Sequence, residues 1–339
     1  MWNEKYGSDW RQQKDVLFER KEIGSVPQLL SELQQLKEAG FYFRGQSNAL
    51  YRITSSIQRA WHSGGSWKTK VPCLTFPKFS KELVKFARAG VFAKFRRNHL
   101  MDHEILAYLQ HNGCPTPLVD FSNDPYVALY FATCHLPPND GCCSVYAMCP
   151  EGYARKGWND TLYLEDFLKD AYRQEVECNK ASGAKPLCRS VRYVNESRFE
   201  HWGFLDKTGF GTELCVADNV PKNGVAFLIV KGFEGWCRKV ICERMKQQKG
   251  LFVYAPVEDD SLEDFIIKKR RKISATGETD DLIYQPLKCF DIPERLVDEI
   301  RRIVRGEGIS NESLRLEPNR DENHVKMMYG AYLNSFEGN

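Results

Sequence analysis

The sequence predicts an α+β fold, and three observations support this class. Amphipathic segments with helical spacing dominate the first half of the chain. Short apolar runs of strand length dominate the second half, and the regular strand-helix alternation of a doubly wound sheet is missing. Because no Pro/Gly/Ser-rich linker separates two apolar halves of these 339 residues, we expect one main domain with terminal additions.

Several segments are predicted to be helical. Ser25 and Gln28 have the spacing of a capping box before the leucines of the first helix, which we expect to end near Gly40. Gly306 is expected to end the last helix. The three later helices are predicted at about 77–91, 102–111 and 293–305.

The predicted strands are short and apolar. Residues 41–44 form the first, and Gly45 is expected to break it. Another is expected at about 118–121, after two prolines that favour extended backbone. In the second half, the runs with β-branched and aromatic content are 144–148, 225–230, 251–255, 265–268 and 287–290.

Residues 110–131 combine polar side chains with a strand, a corner and an apolar helix. Asp120 lies inside the apolar strand, where a carboxylate must be paired or face a cleft. Ser122 or Asn123 could cap the helix that follows, with Pro125 in its first turn. Polar corners at strand ends are favoured places for ligands, and the alternative is a capped and satisfied corner of the core.

Composition limits the cellular compartment and the partners that we expect for this protein. Twelve cysteines without paired CxxC spacing are typical of free thiols in a reducing cytosol. No apolar run approaches the roughly 20 residues of a membrane span, so we expect a soluble, cytoplasmic protein with no membrane partner. Since the net charge is only +3, contact with nucleic acid would depend on local basic patches. The clearest patches are 268–272 and Lys94, Arg96 and Arg97.

Common cofactor and metal motifs are missing from the sequence. There is no G-x-G-x-x-G after a strand, no GxxxxGK[ST] phosphate loop and no G-x-S-x-G elbow. His99 and His103 are four residues apart, but no third ligand follows at metal spacing, so no metal site is expected.

Three separated polar segments resemble the FRG domain family. They are FRGQS at 43–47, with Ser55, Ser56 and Arg59 after it; QHNGCPTPLVDFS at 110–122, with VALYFA at 127–132; and RMKQQKGLF at 244–252. The resemblance extends in order from about residue 41 to about residue 309. It implies an N-terminal helical extension over 1–40, an FRG domain over 41–309 and a polar, helical tail over 310–339.

One position departs from the family pattern. Where the family usually has an arginine after the Thr of its second segment, this chain has Pro117. The role of that arginine is either lost or supplied by Arg52, Arg59 or Arg244.

The FRG domain in turn resembles ADP-ribosyltransferases of the Arg-Ser-Glu type. This second resemblance implies a split mixed or antiparallel β-sheet with flanking helices and NAD as the substrate in its cleft. Arg44, Ser122 and Gln248 stand at the positions that correspond to that Arg, Ser and Glu. Gln248 cannot supply negative charge or act as a base. Either Asp120 or, second, Glu243 supplies the carboxylate, or the acceptor needs no base, or the site binds without catalysing.

Each residue of the implied NAD site has an expected role. Arg44 would bind the pyrophosphate bidentately, with Gly45 and Gln46 beside it, and Gly45 would let the backbone approach the ligand. Ser122 would hold the nicotinamide-side ribose. An aromatic residue would stack on the nicotinamide ring, and the candidates are Phe121, Tyr126 and Tyr130.

Structural roles are the alternatives for the same residues. Arg44 could be the salt-bridge partner of Asp120. Gln110 would satisfy backbone groups, His111 would order the turn before Pro115, and Gln248 could simply close a turn.

The resemblance implies a mono-ADP-ribosyltransferase that acts as a bacterial toxin or phage-defence effector. Its acceptor would be a macromolecule, with RNA or DNA favoured over protein. An apolar cluster near Met327 in the tail could dock on the protein's own core or on a neutralising antitoxin. The alternative is a catalytically inactive FRG fold that senses a nucleotide or binds a protein.

Overall fold

The computed structural model describes residues 4–63, 76–92, 102–135, 141–148, 161–163, 227–231, 243–254, 259–264, 287–317 and 320–336. In this part of the chain the fold is α+β, as predicted, and its centre is one mixed sheet of eight strands. The strands are β1 Glu19–Glu22, β2 Tyr42–Gln46, β3 Leu118–Ser122, β4 Cys142–Met148, β5 Thr161–Tyr163, β6 Phe227–Lys231, β7 Gly250–Tyr254 and β8 Leu287–Pro293.

The strand order across the sheet is β1-β8-β4-β2-β3-β7-β6-β5. The pairs β1/β8 and β5/β6 are parallel, and the other neighbours are antiparallel. The described helices are α1 Trp10–Leu17, α2 Val26–Glu38, α3 Ser56–His62, α4 Phe76–Ala87, α5 Asp102–His111, α6 Pro125–Thr133, α7 Glu243–Gln247, α8 Val297–Gly306 and α9 Arg320–Asn334.

Both faces of the sheet are buried. Along β4, Val145 and Ala147 belong to a cluster that α2, α6 and α8 cover, whereas Tyr146 and Met148 belong to a second cluster that includes Trp10. Successive strand residues point to opposite faces, so these clusters lie on the two sides of the sheet. All seven residues of β4 are buried, which identifies it as a central strand.

The sheet splits between β2 and β3. Each strand is fully paired on its outer side, β2 with β4 over five residues and β3 with β7 over five residues. Between β2 and β3 the register consists of the single pair Phe43–Ser122. Beyond that pair the two strands diverge, and the edges that they expose to each other form the walls of a cleft.

Gly45 is required by the packing of α6 on β2. A Cβ atom at this position would lie 1.9 Å from the carbonyl O of Ala128 and 2.5 Å from the backbone N of Ala132. The strand continues through Gly45 in register with Val145, so the predicted break is wrong. The backbone that approaches Gly45 in the structure is that of α6, and the expected role of Gly45 in admitting a ligand stays a prediction.

The N-terminal segment is part of the same sheet, because β1 pairs with β8. The Lys14 side chain is completely buried, and its Nζ donates to Asp291 Oδ1 at 2.8 Å and to Ser144 Oγ at 3.0 Å. Although burial alone would lower it, the pKa of Lys14 is raised by the surrounding acidic groups, including Tyr146 and Asp291. This buried ion pair fastens α1 to the centre of the sheet.

The tail packs against its own protein. Val325, Met328 and Tyr332 of α9 are buried, and the ring of Tyr332 lies 5.6 Å from that of Phe86 in α4. The side chain of Met327 is 76% exposed.

Two predicted helix caps differ from those observed. Ser25 precedes α2 but its side chain makes no capping hydrogen bond, whereas Ser55 and Gln58 form a capping box at α3. The N-cap of α6 is Asp124, whose carboxylate accepts from Tyr126 N at 3.0 Å, and Pro125 is in the first turn as expected. The predicted strand at 265–268 lies outside the described residues.

Candidate functional site

A cleft of about 490 Å³ opens where the sheet splits. Its walls come from both edges of the split, the loop after β2, α3, the end of α5, α6, α7 and the segment that precedes α9. The predicted site residues in this lining are Arg44, Gly45, Gln46, Asp120, Phe121, Ser122 and Gln248. Residues from the three separated polar segments are therefore brought together in one cleft.

Arg44 bridges the split. Its Nη1 donates to the main-chain carbonyl of Asp120 at 2.8 Å, which satisfies a carbonyl that the diverging strands leave without a ladder partner. The Nε of Arg44 is buried and has no hydrogen-bond partner. Burial lowers the pKa of Arg44, the Asp120 carboxylate opposes this shift, and the charge of Arg59 adds to it. The guanidinium stays charged at neutral pH, as arginine does in proteins.

Asp120 projects into the cleft, where its side chain remains exposed. The enclosing walls limit its hydration and raise its pKa, while the positive charge of Arg44 and a hydrogen bond from Gln110 oppose the rise. Gln110 Nε2 donates to Asp120 Oδ2 at 2.8 Å. The expectation that Gln110 satisfies backbone groups is therefore wrong, because its amide binds side chains.

The amide of Gln110 is itself oriented by a hydroxyl group. Thr116 Oγ1 donates to Gln110 Oε1 at 2.6 Å, and Ser56 Oγ lies 3.3 Å from the same oxygen. With its carbonyl directed at hydroxyl donors, the amide presents its NH₂ group to Asp120. We call these hydrogen bonds, from Thr116 through Gln110 to Asp120, the Gln110 relay. Sequence reasoning missed it, although Ser56, Gln110 and Thr116 lie in the segments that carry the family resemblance.

Arg59 places a second guanidinium in the cleft. Its Nη1 donates to the carbonyl O and the Oγ1 of Thr54 at 2.9 and 3.2 Å, and its Nε lies 3.7 Å from a carboxylate oxygen of Glu4. The charge of Arg59 lowers the pKa of both Arg44 and Asp120, so the three groups interact electrostatically. The cleft therefore has a cationic side that suits an anionic ligand.

The side chains of Ser122 and Gln248 bind other groups of the protein. Ser122 Oγ donates to the carbonyl of Gln248 at 2.8 Å and accepts from Asp124 N at 3.0 Å. Gln248 Nε2 donates to the carbonyl of Leu314 at 3.2 Å. The Ser122 hydroxyl is thus occupied in joining β3 to the start of β7, and the expected ribose contact would have to displace one of these bonds.

Arg244 does not replace the arginine missing at Pro117. Its three guanidinium nitrogens donate to the main-chain carbonyls of His111, Arg315 and Glu317 at 2.8, 2.7 and 3.1 Å. A guanidinium with all three nitrogens engaged by carbonyls acts as a structural clamp. Arg59, which faces Arg44 and Asp120, is the better placed of the three candidate substitutes.

His111 is buried yet contributes to the cleft lining. Burial, with a further contribution from the charge of Arg244, lowers its pKa to about 3, so the imidazole is neutral at physiological pH. Its ring meets that of Phe252 edge-on at 5.2 Å, and its Nε2 has no hydrogen-bond partner.

The expected ring-stacking residues have different positions. Phe121 lines the cleft but is almost fully buried. Tyr126 and Tyr130 are not part of the cleft lining, and the hydroxyl of Tyr130 donates to Asn311 instead.

Several other sequence predictions concern positions outside the described residues. The basic patches, His99 and the side chains of His103 and Glu243 lie outside the described residues. Within the ranges that are described, no cluster of three or more His, Cys, Asp or Glu could hold a metal ion. In the same ranges, no helix has the length and apolar character to cross a membrane.

Comparison with known proteins identifies one family. Residues 39–140 match the FRG domain. No curated protein and no solved structure gives a significant match. The matched region contains β2, β3 and α3 to α6, and so includes both edges of the split and the Gln110 relay; the resemblance suggested for 244–309 lies beyond it. This chain carries an FRG domain.

Proposed function

We propose that the cleft binds NAD and that the protein transfers ADP-ribose from it to a macromolecule. The observation that carries the proposal is the arrangement of Arg44 and Asp120 across the split between β2 and β3. The Arg44 guanidinium binds the main-chain carbonyl of Asp120, and the Asp120 carboxylate lines the same cleft, whose volume of about 490 Å³ is within the usual range for small-molecule sites. The split sheet also supports an ADP-ribosyltransferase-like fold, which is part of the proposal.

In this proposal, Arg44 and Arg59 bind the pyrophosphate of NAD. A guanidinium binds planar phosphate oxygens in a bidentate manner, and Arg44 Nε has no protein partner to give up. Arg59 has a weak, 3.7 Å contact with Glu4 that an incoming phosphate could replace. Gln46, whose Oε1 is also buried without a partner, supplies an acceptor beside Arg44.

Asp120 is the group for the chemical step. The reaction breaks the bond between the ribose C1′ and the nicotinamide nitrogen and forms a bond between C1′ and an acceptor oxygen or nitrogen. Nicotinamide leaves with the bonding electrons, so positive charge develops on the ribose, and the carboxylate stabilises it. Asp120 then takes the proton of the acceptor, and its raised pKa suits this role of general base.

The acceptor is proposed to be RNA or DNA in preference to protein, in a toxin or phage-defence setting. The basic patches of the sequence, at 268–272 and at Lys94, Arg96 and Arg97, would suit contacts with the phosphates of a polyanion. If nucleic acid binds there, its affinity should fall steeply with added salt, whereas a flat response would favour a protein acceptor.

The test uses labelled NAD and a mixture of cell RNA, DNA and protein. Wild-type protein should label one fraction, and Arg44→Ala and Asp120→Asn should each abolish that label. Arg302→Ala, which removes an exposed arginine of α8, is the matched control and should label as wild type does. Absence of both label and free nicotinamide with folded wild-type protein would exclude the transferase.

A second candidate function rests on the observed bonds of Ser122 and Gln248. Because both side chains bind the protein, the cleft could recognise a nucleotide without catalysis. Such a module would bind ADP-ribose in an Arg44-dependent manner and release no nicotinamide from NAD.

A further inference from the structure

Two residues with strained backbone each follow a partner of the Gln248–Leu314 hydrogen bond. Lys249 and Arg315 have φ values of 45° and 55°, a region that residues other than glycine rarely adopt. Lys249 follows Gln248 and Arg315 follows Leu314, so they flank the hydrogen bond from Gln248 Nε2 to the Leu314 carbonyl. Strained backbone of this kind persists only when the surroundings hold it, and it is enriched at ligand clamps.

The strained segment belongs to what we call the C-terminal strap, residues 310–317. Arg244 holds the strap through the carbonyls of Arg315 and Glu317, and its side chain is only 15% exposed. Leu314 is 2% exposed and anchors the strap in the protein. At its other end, Asn311 accepts the hydroxyl of Tyr130 from α6. The strap is thus held near both of its ends, by α7 and by α6.

Leu316 of the strap lines the cleft. Arg244 binds the carbonyls of the residues on either side of Leu316 and also the carbonyl of His111, so one guanidinium links these two segments of the chain. His111 is neutral and its ring is held against Phe252. This part of the cleft lining therefore combines an apolar side chain, an uncharged ring and Arg244, whose guanidinium nitrogens are engaged by main-chain carbonyls.

We propose that Leu316 and His111 form a subsite for a planar heteroaromatic ring, and that Arg244 and Gln248 position it through the C-terminal strap. An apolar side chain and an aromatic edge are suitable partners for such a ring. The ligand's phosphates would then lie toward Arg44 and Arg59. The subsite deepens the proposed function and rests on it for the identity of NAD, which offers two such rings, adenine and nicotinamide.

Two mononucleotides separate the rings. AMP and nicotinamide mononucleotide both carry a phosphate for Arg44, but each carries one ring. Calorimetric titration of wild type and Leu316→Ala with AMP, nicotinamide mononucleotide and inorganic pyrophosphate gives the affinities. We expect Leu316→Ala to weaken one mononucleotide about 5- to 10-fold, the loss of a buried apolar contact of 1 to 1.4 kcal/mol, and to leave pyrophosphate unchanged.

The controls keep folding and binding apart. Leu316→Met, which retains the apolar wall, should bind as wild type does. Leu333→Ala changes another partly buried leucine, on α9 and outside the cleft lining, and should change no affinity. His111→Phe tests the second residue, because it keeps a ring beside Phe252 but removes the nitrogens.

The outcomes distinguish the subsite from the proposed function. If both mononucleotides bind to Leu316→Ala within twofold of wild type while Arg44→Ala weakens them, the ring subsite is wrong and the phosphate site stands. If one mononucleotide depends on Leu316 but NAD yields neither label nor free nicotinamide, the subsite stands and the transferase is wrong. If neither mononucleotide binds wild type at millimolar concentration, the subsite is wrong.

Discussion

Gln110 donates its Nε2 to Asp120 Oδ2 at 2.8 Å, while Thr116 Oγ1 donates to the Oε1 of the same glutamine at 2.6 Å. An amide that accepts from a hydroxyl at one end can face a carboxylate only with its NH₂ group. The relay therefore sets which way the carboxylate turns and favours its charged form. It opposes the rise in the pKa of Asp120 that the enclosing walls of the cleft cause by limiting its hydration.

Thr116→Val should disturb Asp120 without touching the cleft. Valine has nearly the shape of threonine but cannot donate to Gln110, so the amide loses its orientation and the carboxylate loses a donor. Losing a bond to the charged form raises the pKa of Asp120 further above its usual value. The titration of the Asp120 carboxyl carbon by NMR should shift to higher pH, and the acid limb of any transfer activity should shift with it.

Thr133→Val is the matched control for this change. Thr133 is buried and donates to the carbonyl of Leu129, so both variants lose one buried hydroxyl. Both should lose stability of about 1 kcal/mol. An unchanged Asp120 titration in Thr116→Val, or an equal shift in Thr133→Val, would contradict the relay.

Gly45→Ala should destabilise the fold because of helix packing. The new Cβ would lie 1.9 Å from Ala128 O, a backbone atom that cannot move away as a side chain can. We expect a loss of about 3 kcal/mol or more in the free energy of unfolding, measured by urea titration. Gly24→Ala is the control, because nothing lies within 4 Å of a Cβ at that position. Equal stability of the two variants would show that α6 can shift away from β2.

The local part of this site is predictable from sequence. A carboxylate inside an apolar strand predicts a cleft-facing or paired Asp120, and Pro125 after a polar corner predicts the start of α6. The three polar segments also indicate the residues that would share a cleft. These inferences depend on neighbours in the chain, where spacing and side-chain chemistry decide the outcome.

The long-range part is not predictable in the same way. Arg44 meets a carbonyl 76 residues away, and this contact exists only because β2 and β3 diverge after one pair. Lys14, in a segment that reads as polar, is buried because Asp291, 277 residues later, neutralises it. Gly45 reads as a strand break until α6 is seen against it. Each of these features depends on tertiary packing, which local propensity does not predict.

Gln248→Glu should loosen the C-terminal strap. The Glu of the Arg-Ser-Glu pattern would suggest that this change strengthens a weak transferase, but Gln248 donates to the Leu314 carbonyl and a carboxylate cannot. Two acceptors would then face each other, at an expected loss of about 1 to 3 kcal/mol in the local stability of the strap. Hydrogen exchange should increase over residues 314–317, and transfer should not rise.

Gln247→Glu provides the same charge change one residue earlier, on an exposed side chain of α7. Its hydrogen exchange should match that of wild type. Increased transfer by Gln248→Glu with an unchanged strap would instead mean that residue 248 acts on the substrate.

His111 should make the protein less stable in acid. Its folded pKa of about 3 lies below the ordinary value of 6.5, so the unfolded chain takes up a proton that the folded chain excludes. Stability is then fully present above about pH 6.5 and falls by about 1.4 kcal/mol per pH unit from there toward pH 3. His111→Gln removes the titrating group and should flatten this part of the pH dependence.

Urea unfolding at several pH values between 7 and 4.5 measures that slope. His324→Gln, on an exposed position of α9, is the control and should keep the slope of wild type. Because the folded protein buries His111 against Phe252 and next to the charge of Arg244, protonation of its imidazole is unfavourable in the folded state. An equally steep slope in His111→Gln would mean that other groups govern acid unfolding and that His111 can be protonated in the folded cleft.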